Sequence, residues 1–195
     1  YNSLQLLSEE KTGNPFYEDE FNQQFLRFEN QTDISLGENH KVVAGGGFVG
    51  EYLNTTRYEG RRSNTIGYAF AQHEWNIRPN LSVVSGLRFD GNEVYASRLS
   101  PKLAVRNNPS ARLKLMASYG AGFKAPDFRQ LYLSFINNAS GGYALFGANE
   151  LNTERLQQLK QQGFISSILP RAADMAPLSP ETSHGINAGA VWSLN

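Results

Sequence analysis

The chain has 195 residues, and its 18 lysine and arginine residues balance its 18 aspartate and glutamate residues, so its formal net charge is zero. A neutral chain has no overall field that draws nucleic acid, which is therefore not an expected partner. The absence of cysteine excludes disulfides and thiolate metal ligands. The chain contains no run of 18 apolar residues, so no transmembrane helix is predicted.

Alternating polar and apolar residues predict a series of antiparallel β-hairpins along the chain. The hairpins are predicted at 21–54, 64–90 and 102–120, and their short turns at 37–40, 78–80 and 107–110. Such strands need only about ten residues to cross a bilayer as part of a β-barrel. The pattern therefore predicts an all-β, antiparallel up-and-down meander.

The hairpin at 64–90 is predicted to have two chemically different faces. Pairing Ile77 with Leu81 sets the register, because side chains alternate between the faces of a sheet. The apolar face then carries Ala69, Ala71, His73, Trp75, Leu87 and Phe89. The opposite face is expected to line a lumen and carries Gln72, Glu74, Arg88 and Asp90. Mutual ion pairing along a wet wall is the alternative to a binding role for these residues.

The connections alternate in length, with longer ones at about 55–64, 91–98 and 122–181. A meander then places all short turns at one end and all long loops at the other, as transmembrane barrels do. Trp75 and Trp192 both lie near the short-turn end, where the membrane–water boundary favours tryptophan. About seven strands are counted. Since bacterial single-chain barrels have even strand numbers, this odd count leads us to expect a fragment, seven or eight strands long, of a longer barrel.

The long connection at 122–181 is the expected place for ligand capture, because strand-free connections of this length are usually functional. Asn152 is a plausible N-cap for a helix that ends at Gly163, and the proline-rich segment after it predicts loop. The candidate ligand-binding residues are Arg129, Tyr132, Tyr143 and Phe146. Packing of these aromatic residues against the loop itself is the alternative.

Five segments resemble TonB-dependent outer-membrane receptors, and they occur in the same order as in that family. SYGAGFKAPDFRQLY (118–132) resembles the family's SYGxGFRAP strand exit and the LY dipeptide that follows. FAQHEWNI, LSVVSGLRFD, the LSPKLAVR–LMASYG hairpin and LSPETSHGINAGAVW resemble four further strands. The resemblance covers about residues 64–132 and 178–195. Lys124 and Asn187 depart from it, since the family usually has Arg and Glu there.

The resemblance implies part of a 22-stranded, plugged outer-membrane barrel of a Gram-negative bacterium, with 122–181 as an extracellular loop. The expected partners are outer-membrane lipid, a small-molecule cargo (a ferric siderophore, haem or cobalamin) and the TonB complex, which acts through a plug domain that lies outside these residues. The lumen set would then face the plug. No enzyme activity, resident cofactor or metal site is expected. If isolated, the fragment is expected to dimerise or pair edge to edge, hiding Leu87, Phe89, Leu113 and Leu115.

Two other functions remain open from the sequence. A smaller, self-contained outer-membrane barrel with an adhesive or structural role needs an even strand count. An outer-membrane hydrolase needs a serine and a histidine whose side chains meet on one face. His73 and Ser85, which are expected side by side on the apolar face, are the candidate pair. His40 is expected in a short turn and His184 on the apolar face. The three histidines are not expected to form a metal site.

Overall fold

The structure is a computed structural model that describes residues 2–8, 15–58, 60–137, 143–173 and 176–194. The strands are β1 (Asn2–Ser8), β2 (Pro15–Leu36), β3 (His40–Thr55), β4 (Arg62–Arg78), β5 (Leu81–Asn92), β6 (Arg98–Ser110), β7 (Leu113–Lys124), β8 (Ser134–Asn137), β9 (Tyr143–Phe146) and β10 (Glu181–Trp192). The helices are α1 (Phe128–Tyr132), α2 (Thr153–Gln161) and α3 (Pro170–Ala173). None of the described helices has the length and apolar character needed to cross a membrane.

Eight strands form one sheet in the order β1-β2-β3-β4-β5-β6-β7-β10, and β8 pairs with β9 separately. The predicted antiparallel meander is confirmed. Strand β10 lies beside β7 because residues 125–180, here called the excursion, leave the sheet and return to it. The chain forms two compact units. One contains Tyr1–Phe25, Glu51–Asn64 and Ala125–Ser179, and the other contains Leu26–Gly50, Thr65–Lys124 and Pro180–Asn195.

The register of β4 with β5 follows the prediction along most of the hairpin. Trp75 pairs with Val83 and Ala69 pairs with Phe89. The prediction fails at the turn, where Arg78 and not Ile77 pairs with Leu81. A bulge between Asn76 and Arg78 absorbs the extra residue. The turn is therefore the two-residue Pro79–Asn80 and not a three-residue turn, and both residues favour tight turns.

The turn of the next hairpin lies later in the chain than predicted. Strand β6 continues to Ser110, so residues 107–110 belong to the strand and the turn is Ala111–Arg112. A register shift between Asn107 and Ser110 accommodates Pro109, which cannot donate a hydrogen bond to the sheet. The Asn108 N–H instead donates to the carbonyl of Asn80 in the neighbouring turn, at 2.7 Å.

The first hairpin also differs from its prediction. Its turn covers residues 37–39 with Gly37 at φ 72°, and His40 begins β3 and does not lie in the turn. Strand β2 begins at Pro15, six positions before the predicted start, and pairs with β1, which was not predicted. The irregular alternation of this region explains both differences, because strand prediction rests on that period.

The excursion contains more regular structure than predicted. Helix α2 is confirmed: the side chain of Asn152 accepts a hydrogen bond from the Arg155 N–H at 2.8 Å, and Gly163 follows the helix at φ 80°. The prediction of no strands is wrong, because β8 and β9 form a four-residue ladder. Helix α3 lies within the segment that was predicted to be loop. Elements this short carry too few residues for a recognisable period.

Burial is confined to small clusters, as expected for a single-layer sheet. Among the described residues, the buried hydrophobic ones are Leu53, Tyr68, Tyr95, Phe128, Leu131, Leu156 and Leu159. The predicted apolar face is solvent-exposed, with Leu87 at 47% and Phe89 at 49% of full exposure. Monomeric soluble proteins rarely expose contiguous apolar surface on this scale. This face therefore needs an apolar environment or a partner.

Candidate ligand cavity and polar face

A cavity of about 530 Å³ lies between the excursion and the odd-numbered positions of β2 and β3. Its lining combines aromatic rings with charged and amide groups, namely Phe21, Gln23, Glu51, Leu53, Thr55, Arg57, Tyr58, Asp127, Phe128, Arg129, Leu133, Phe135, Tyr143 and Leu145. Ligand sites generally share this composition, in which apolar walls bury a ligand and a few polar groups orient it. We take this cavity as the candidate ligand site.

Helix α1 presents Arg129 to the cavity. Asp127 and Gln130 form a capping box, in which Asp127 Oδ1 accepts from the Gln130 N–H at 2.7 Å and Gln130 Oε1 accepts from the Asp127 N–H at 3.0 Å. This cap fixes a helix of only five residues, with Phe128 and Leu131 buried. Arg129 consequently stays exposed at the cavity wall, where its guanidinium can meet an anionic ligand.

Two aromatic residues from the β8–β9 hairpin and one from the connection between β3 and β4 complete the cavity wall. The rings of Phe135 and Tyr143 lie 6.1 Å apart on adjacent strands. Burial raises the pKa of Tyr58, and the nearby Asp127 carboxylate raises it further, against the opposing charges of Arg129 and Arg57. Tyr58 therefore keeps its phenolic proton at neutral pH and remains a hydrogen-bond donor.

The structure brings only two of the four predicted ligand residues to this cavity. Arg129 and Tyr143 line it, whereas Tyr132 and Phe146 do not. The ring of Tyr132 lies under Arg62, with the guanidinium carbon 4.5 Å from the ring centre. The ring of Phe146 lies 5.6 Å from the guanidinium carbon of Arg155. Phe146 therefore packs within the loop, as the alternative expected, whereas Tyr132 packs both on Phe128 within the loop and on Arg62 outside it.

Arg62, the first residue of β4, connects two parts of the excursion. Besides contacting Tyr132, its Nη2 donates to Glu150 Oε1 at 2.7 Å. Both side chains are largely covered, with 26% of Arg62 and 14% of Glu150 exposed. An arginine that is both stacked and hydrogen-bonded has a fixed orientation. Arg62 therefore fastens the excursion to the start of β4.

Residues 147–149 dock on the C-terminal end of α1 through backbone hydrogen bonds. Gly147, Ala148 and Asn149 donate to the carbonyls of Leu133, Gln130 and Leu131, at 2.7, 2.8 and 2.8 Å respectively. A Cβ on Gly147 would lie 2.3 Å from the backbone of Leu131, so this close approach requires glycine. These bonds satisfy carbonyls that the short helix leaves without partners.

The predicted lumen residues share one face of the sheet. The registers place Gln72 and Glu74 opposite Gly86 and Val84, and Arg88 opposite Phe70. Glu74 lines a cavity of about 470 Å³ with Arg106, and Gln72 and Arg88 line a neighbouring one. Asp90 is buried and is paired with Arg88 at 2.7 Å. Arg88 and Asp90 thus form an ion pair, which is the alternative to a binding role that the sequence left open.

A network of hydrogen bonds and a cation–π contact joins side chains of β2, β4 and β5 on this polar face. The Tyr68 hydroxyl donates to Glu29, the Arg88 guanidinium lies 4.0 Å from the centre of the Tyr68 ring, and Arg27 pairs with Glu29 at 2.8 Å. Tyr68 reaches Glu29 by crossing β3 at Gly47, where a Cβ would lie 2.9 Å from the hydroxyl oxygen and 2.2 Å from the carbonyl of Phe28. Gly47 therefore makes room for the Tyr68 side chain, and Gly45 makes room for the Phe70 ring in the same way.

Two histidines meet on the opposite, apolar face. His40 Nδ1 and His73 Nε2 are 2.9 Å apart, and His40 stacks on Trp75 with ring centres 5.7 Å apart. The sequence did not predict this pair, because it depends on the register between β3 and β4. The contact with His40 occupies the Nε2 atom of His73, the histidine that pairs with Ser85 in the β4–β5 register. No group of three or more metal-ligating side chains occurs among the described residues.

An antiparallel meander with one polar and one apolar face, in which short turns alternate with longer connections, is typical of the wall of a transmembrane β-barrel receptor. A family model described as "TonB dependent receptor-like, beta-barrel" matches residues 2–195, and the chain belongs to this family. The resemblance found in the sequence is thereby confirmed, and it extends to the first hairpin, where no family motif was recognised.

The curated relatives include the vitamin B12 transporter BtuB of Vibrio cholerae serotype O1, which is 35% identical over 133 residues. That alignment covers 68% of this chain and 16% of the relative. The chain is therefore similar to about a sixth of the transporter's length.

Solved structures of siderophore receptors have the same fold. PirA of Pseudomonas aeruginosa matches with a TM-score of 0.66 and 17% identity over 93% of this chain and 31% of that protein. A mutant of the ferric enterobactin receptor PfeA from the same organism matches with a TM-score of 0.65 and 17% identity. This match covers 95% of this chain and 26% of the PfeA chain. At such identities the likeness concerns the fold alone.

Proposed function

We propose that the chain forms part of the barrel wall of a TonB-dependent receptor that takes up a scarce nutrient across the outer membrane of a Gram-negative bacterium. The observation that carries this proposal is the two-faced eight-stranded sheet, whose family match runs through its whole length. The apolar face contacts lipid, and the polar face contacts a plug domain. In the complete receptor we expect 22 strands, and TonB supplies energy through the plug. The role is transport and not catalysis.

The cavity beside α1 is the proposed place of cargo capture, on the extracellular side. It lies at the long-loop ends of β2 and β3, and its lining combines the exposed Arg129 with the aromatic rings of Phe135 and Tyr143. A guanidinium and aromatic rings together suit a large ligand with planar and anionic parts. Gln72, Glu74, Arg88 and Asp90 lie on the polar face of β4 and β5 and are proposed to contact the plug.

Cobalamin is the cargo that the relatives favour, because the 35% identical proteins are vitamin B12 transporters. Ferric siderophores are the second candidate. The siderophore receptors with the same fold support that class less, since the PirA receptors of two organisms are only 17% and 15% identical to this chain.

Uptake by the full-length receptor tests the proposal. The complete gene is expressed in cells that lack their own cobalamin and siderophore receptors, and the uptake of labelled cyanocobalamin, ferric enterobactin and haem is measured with and without TonB. We expect TonB-dependent uptake of cyanocobalamin, reduced about tenfold by Arg129→Ala if one charge-assisted hydrogen bond is lost. Lys160→Ala, an equal loss of charge on the exposed end of α2, is the control.

If cells with the receptor take up no more of the three compounds than cells without it, the proposal is contradicted. Uptake that persists without TonB would contradict the claim that TonB supplies the energy. Uptake of ferric enterobactin alone would leave the receptor function intact and replace the cargo.

A further inference from the structure

The charges that line the cavity beside α1 cancel one another. Among the described residues, its lining contains two guanidinium groups and two carboxylates, namely Arg57, Arg129, Glu51 and Asp127. All of them belong to the same compact unit of the chain. The arginines attract an anionic ligand, whereas the carboxylates repel it. The lining therefore has no net charge with which to favour a strongly negative cargo.

These charges surround a common space, because all of them act on the hydroxyl group of Tyr58. Burial is the main cause of the raised pKa of Tyr58, and the carboxylates of Asp127 and Glu51 raise this pKa further. The guanidinium groups of Arg129 and Arg57 lower it. Salt screens charges that lie more than about 10 Å apart. A ligand that contacts Tyr58 is therefore within reach of both carboxylates and both guanidinium groups.

The partial enclosure of the cavity makes its charges more effective. The lining includes the buried side chains of Leu53 and Phe128, so water solvates this wall incompletely. Coulomb interactions are stronger in such surroundings than in bulk water. A polyanion would lose part of its hydration on entering the cavity and would gain no net attraction in return.

The two carboxylates differ in their structural roles. Asp127 is the N-cap of α1, and its side chain accepts a hydrogen bond from the Gln130 N–H at 2.7 Å. Glu51 lies on β3, is half-buried and accepts a hydrogen bond from the side chain of Gln23 on β2. A neutral amide at position 51 would also offer Gln23 an acceptor. The hydrogen bond to Gln23 therefore does not explain why this position carries a charge.

We propose that Glu51 is a specificity-determining residue, which restricts the cavity to a cargo without a large negative charge. Its carboxylate repels a polyanionic cargo and accepts hydrogen bonds from the N–H or O–H groups of a cargo without net charge. A single anionic group on such a cargo can still pair with the exposed Arg129. Discrimination between ligands is often achieved by a repulsive element of this kind. The proposal rests on the proposed function, in which this cavity captures the cargo.

Equilibrium dialysis of the purified full-length receptor tests the proposal. Cyanocobalamin has no net charge and ferric enterobactin is a polyanion, so the ratio of their affinities measures the charge preference. We expect the unmodified receptor to bind cyanocobalamin more tightly. Glu51→Gln should raise the affinity for ferric enterobactin about tenfold, because one repulsive contact is removed, and should not strengthen the binding of cyanocobalamin. Glu51→Asp keeps the charge and should keep the preference.

Glu154→Gln is the matched control, because it removes an equal charge from the exposed first turn of α2, outside the cavity lining. An affinity ratio that is the same in Glu51→Gln, Glu154→Gln and the unmodified receptor would overturn the proposal. Tighter binding of ferric enterobactin than of cyanocobalamin by the unmodified receptor would also overturn it. Weaker binding of both compounds by Glu51→Gln would show a structural role for Glu51 in place of a selective one.

Uptake by cells that carry the same receptors separates this inference from the proposed function. TonB-dependent uptake of either compound, with an affinity ratio that Glu51→Gln leaves unchanged, overturns only the inference. The predicted change in the affinity ratio without any uptake overturns only the transport function. If the receptor neither binds nor takes up the two compounds, both proposals are overturned.

Discussion

At the scale of single residues, Gly47 explains how a polar network forms across the sheet. Tyr68 reaches Glu29 only because β3 has no side chain at this point, where a Cβ would meet the carbonyl of Phe28 at 2.2 Å. A glycine in a strand often marks such a close approach. The sequence did not indicate what the glycines at 45–47 accommodate.

Substituting Gly47 with alanine tests this role. Gly47→Ala should destabilise the barrel by about 1–3 kcal/mol, because the added methyl group displaces the Tyr68 ring or the β2 backbone. Gly67→Ala is the control, since a Cβ there meets no atom within 4 Å. Urea unfolding in detergent measures both. Equal stability of the two variants would show that Tyr68 does not need the space above Gly47.

At the scale of elements, the excursion is fastened at a few defined points. Arg62 binds Glu150 and stacks on Tyr132, while residues 147–149 pair with the end of α1. Arg62→Ala should leave Glu150 without its partner and raise the hydrogen exchange of the amides at 147–149 about tenfold, which corresponds to about 1.4 kcal/mol. Arg61→Ala removes the same charge one residue earlier and should leave these amides unchanged. Exchange that is the same in both variants would contradict a fastening role for Arg62.

Helix α2 depends on its cap more than on its length, because it has only nine residues. Asn152→Ala removes the acceptor for the Arg155 N–H and should destabilise the helix by about 1 kcal/mol. Asn152→Asp keeps an acceptor and should retain the helix. Hydrogen exchange of residues 155–159 measures the difference. Protection that survives in the alanine variant would indicate that the burial of Leu156 and Leu159 is sufficient.

The sequence predicted the regular elements well because their signals are local. The β4–β5 register follows from alternation, and α2 follows from Asn152 and Gly163. Turn positions were less predictable, since bulges near Asn76 and Pro109 absorb residues without a local signal. The candidate site was predicted only in part. Arg57 and Tyr58 reach the cavity because the Ser134 N–H donates to the Arg57 carbonyl at 3.0 Å, a tertiary contact that a residue pattern does not contain.

At the scale of the whole molecule, two sheet edges without a neighbouring strand among the described residues, together with an exposed apolar face, make the isolated chain prone to association. The edges are β1 and β10, and the face includes Leu87, Phe89, Leu113 and Leu115. Unpaired edge strands attract other strands. The isolated chain should therefore sediment as a dimer or larger species in buffer without detergent. A stable monomer under those conditions would contradict the need for lipid or neighbouring strands.

The central claim is that one face of this sheet contacts lipid and the other does not. The chain has no cysteine, so a spin label can be placed at single cysteines along β5 in the full-length receptor in bilayers, after substituting any cysteines elsewhere in the receptor. We expect high accessibility to oxygen at Val83, Ser85, Leu87 and Phe89, and low accessibility at Val84, Gly86 and Arg88. Accessibility without a period of two, or equal access of a water-soluble reagent to both sets, would contradict this claim.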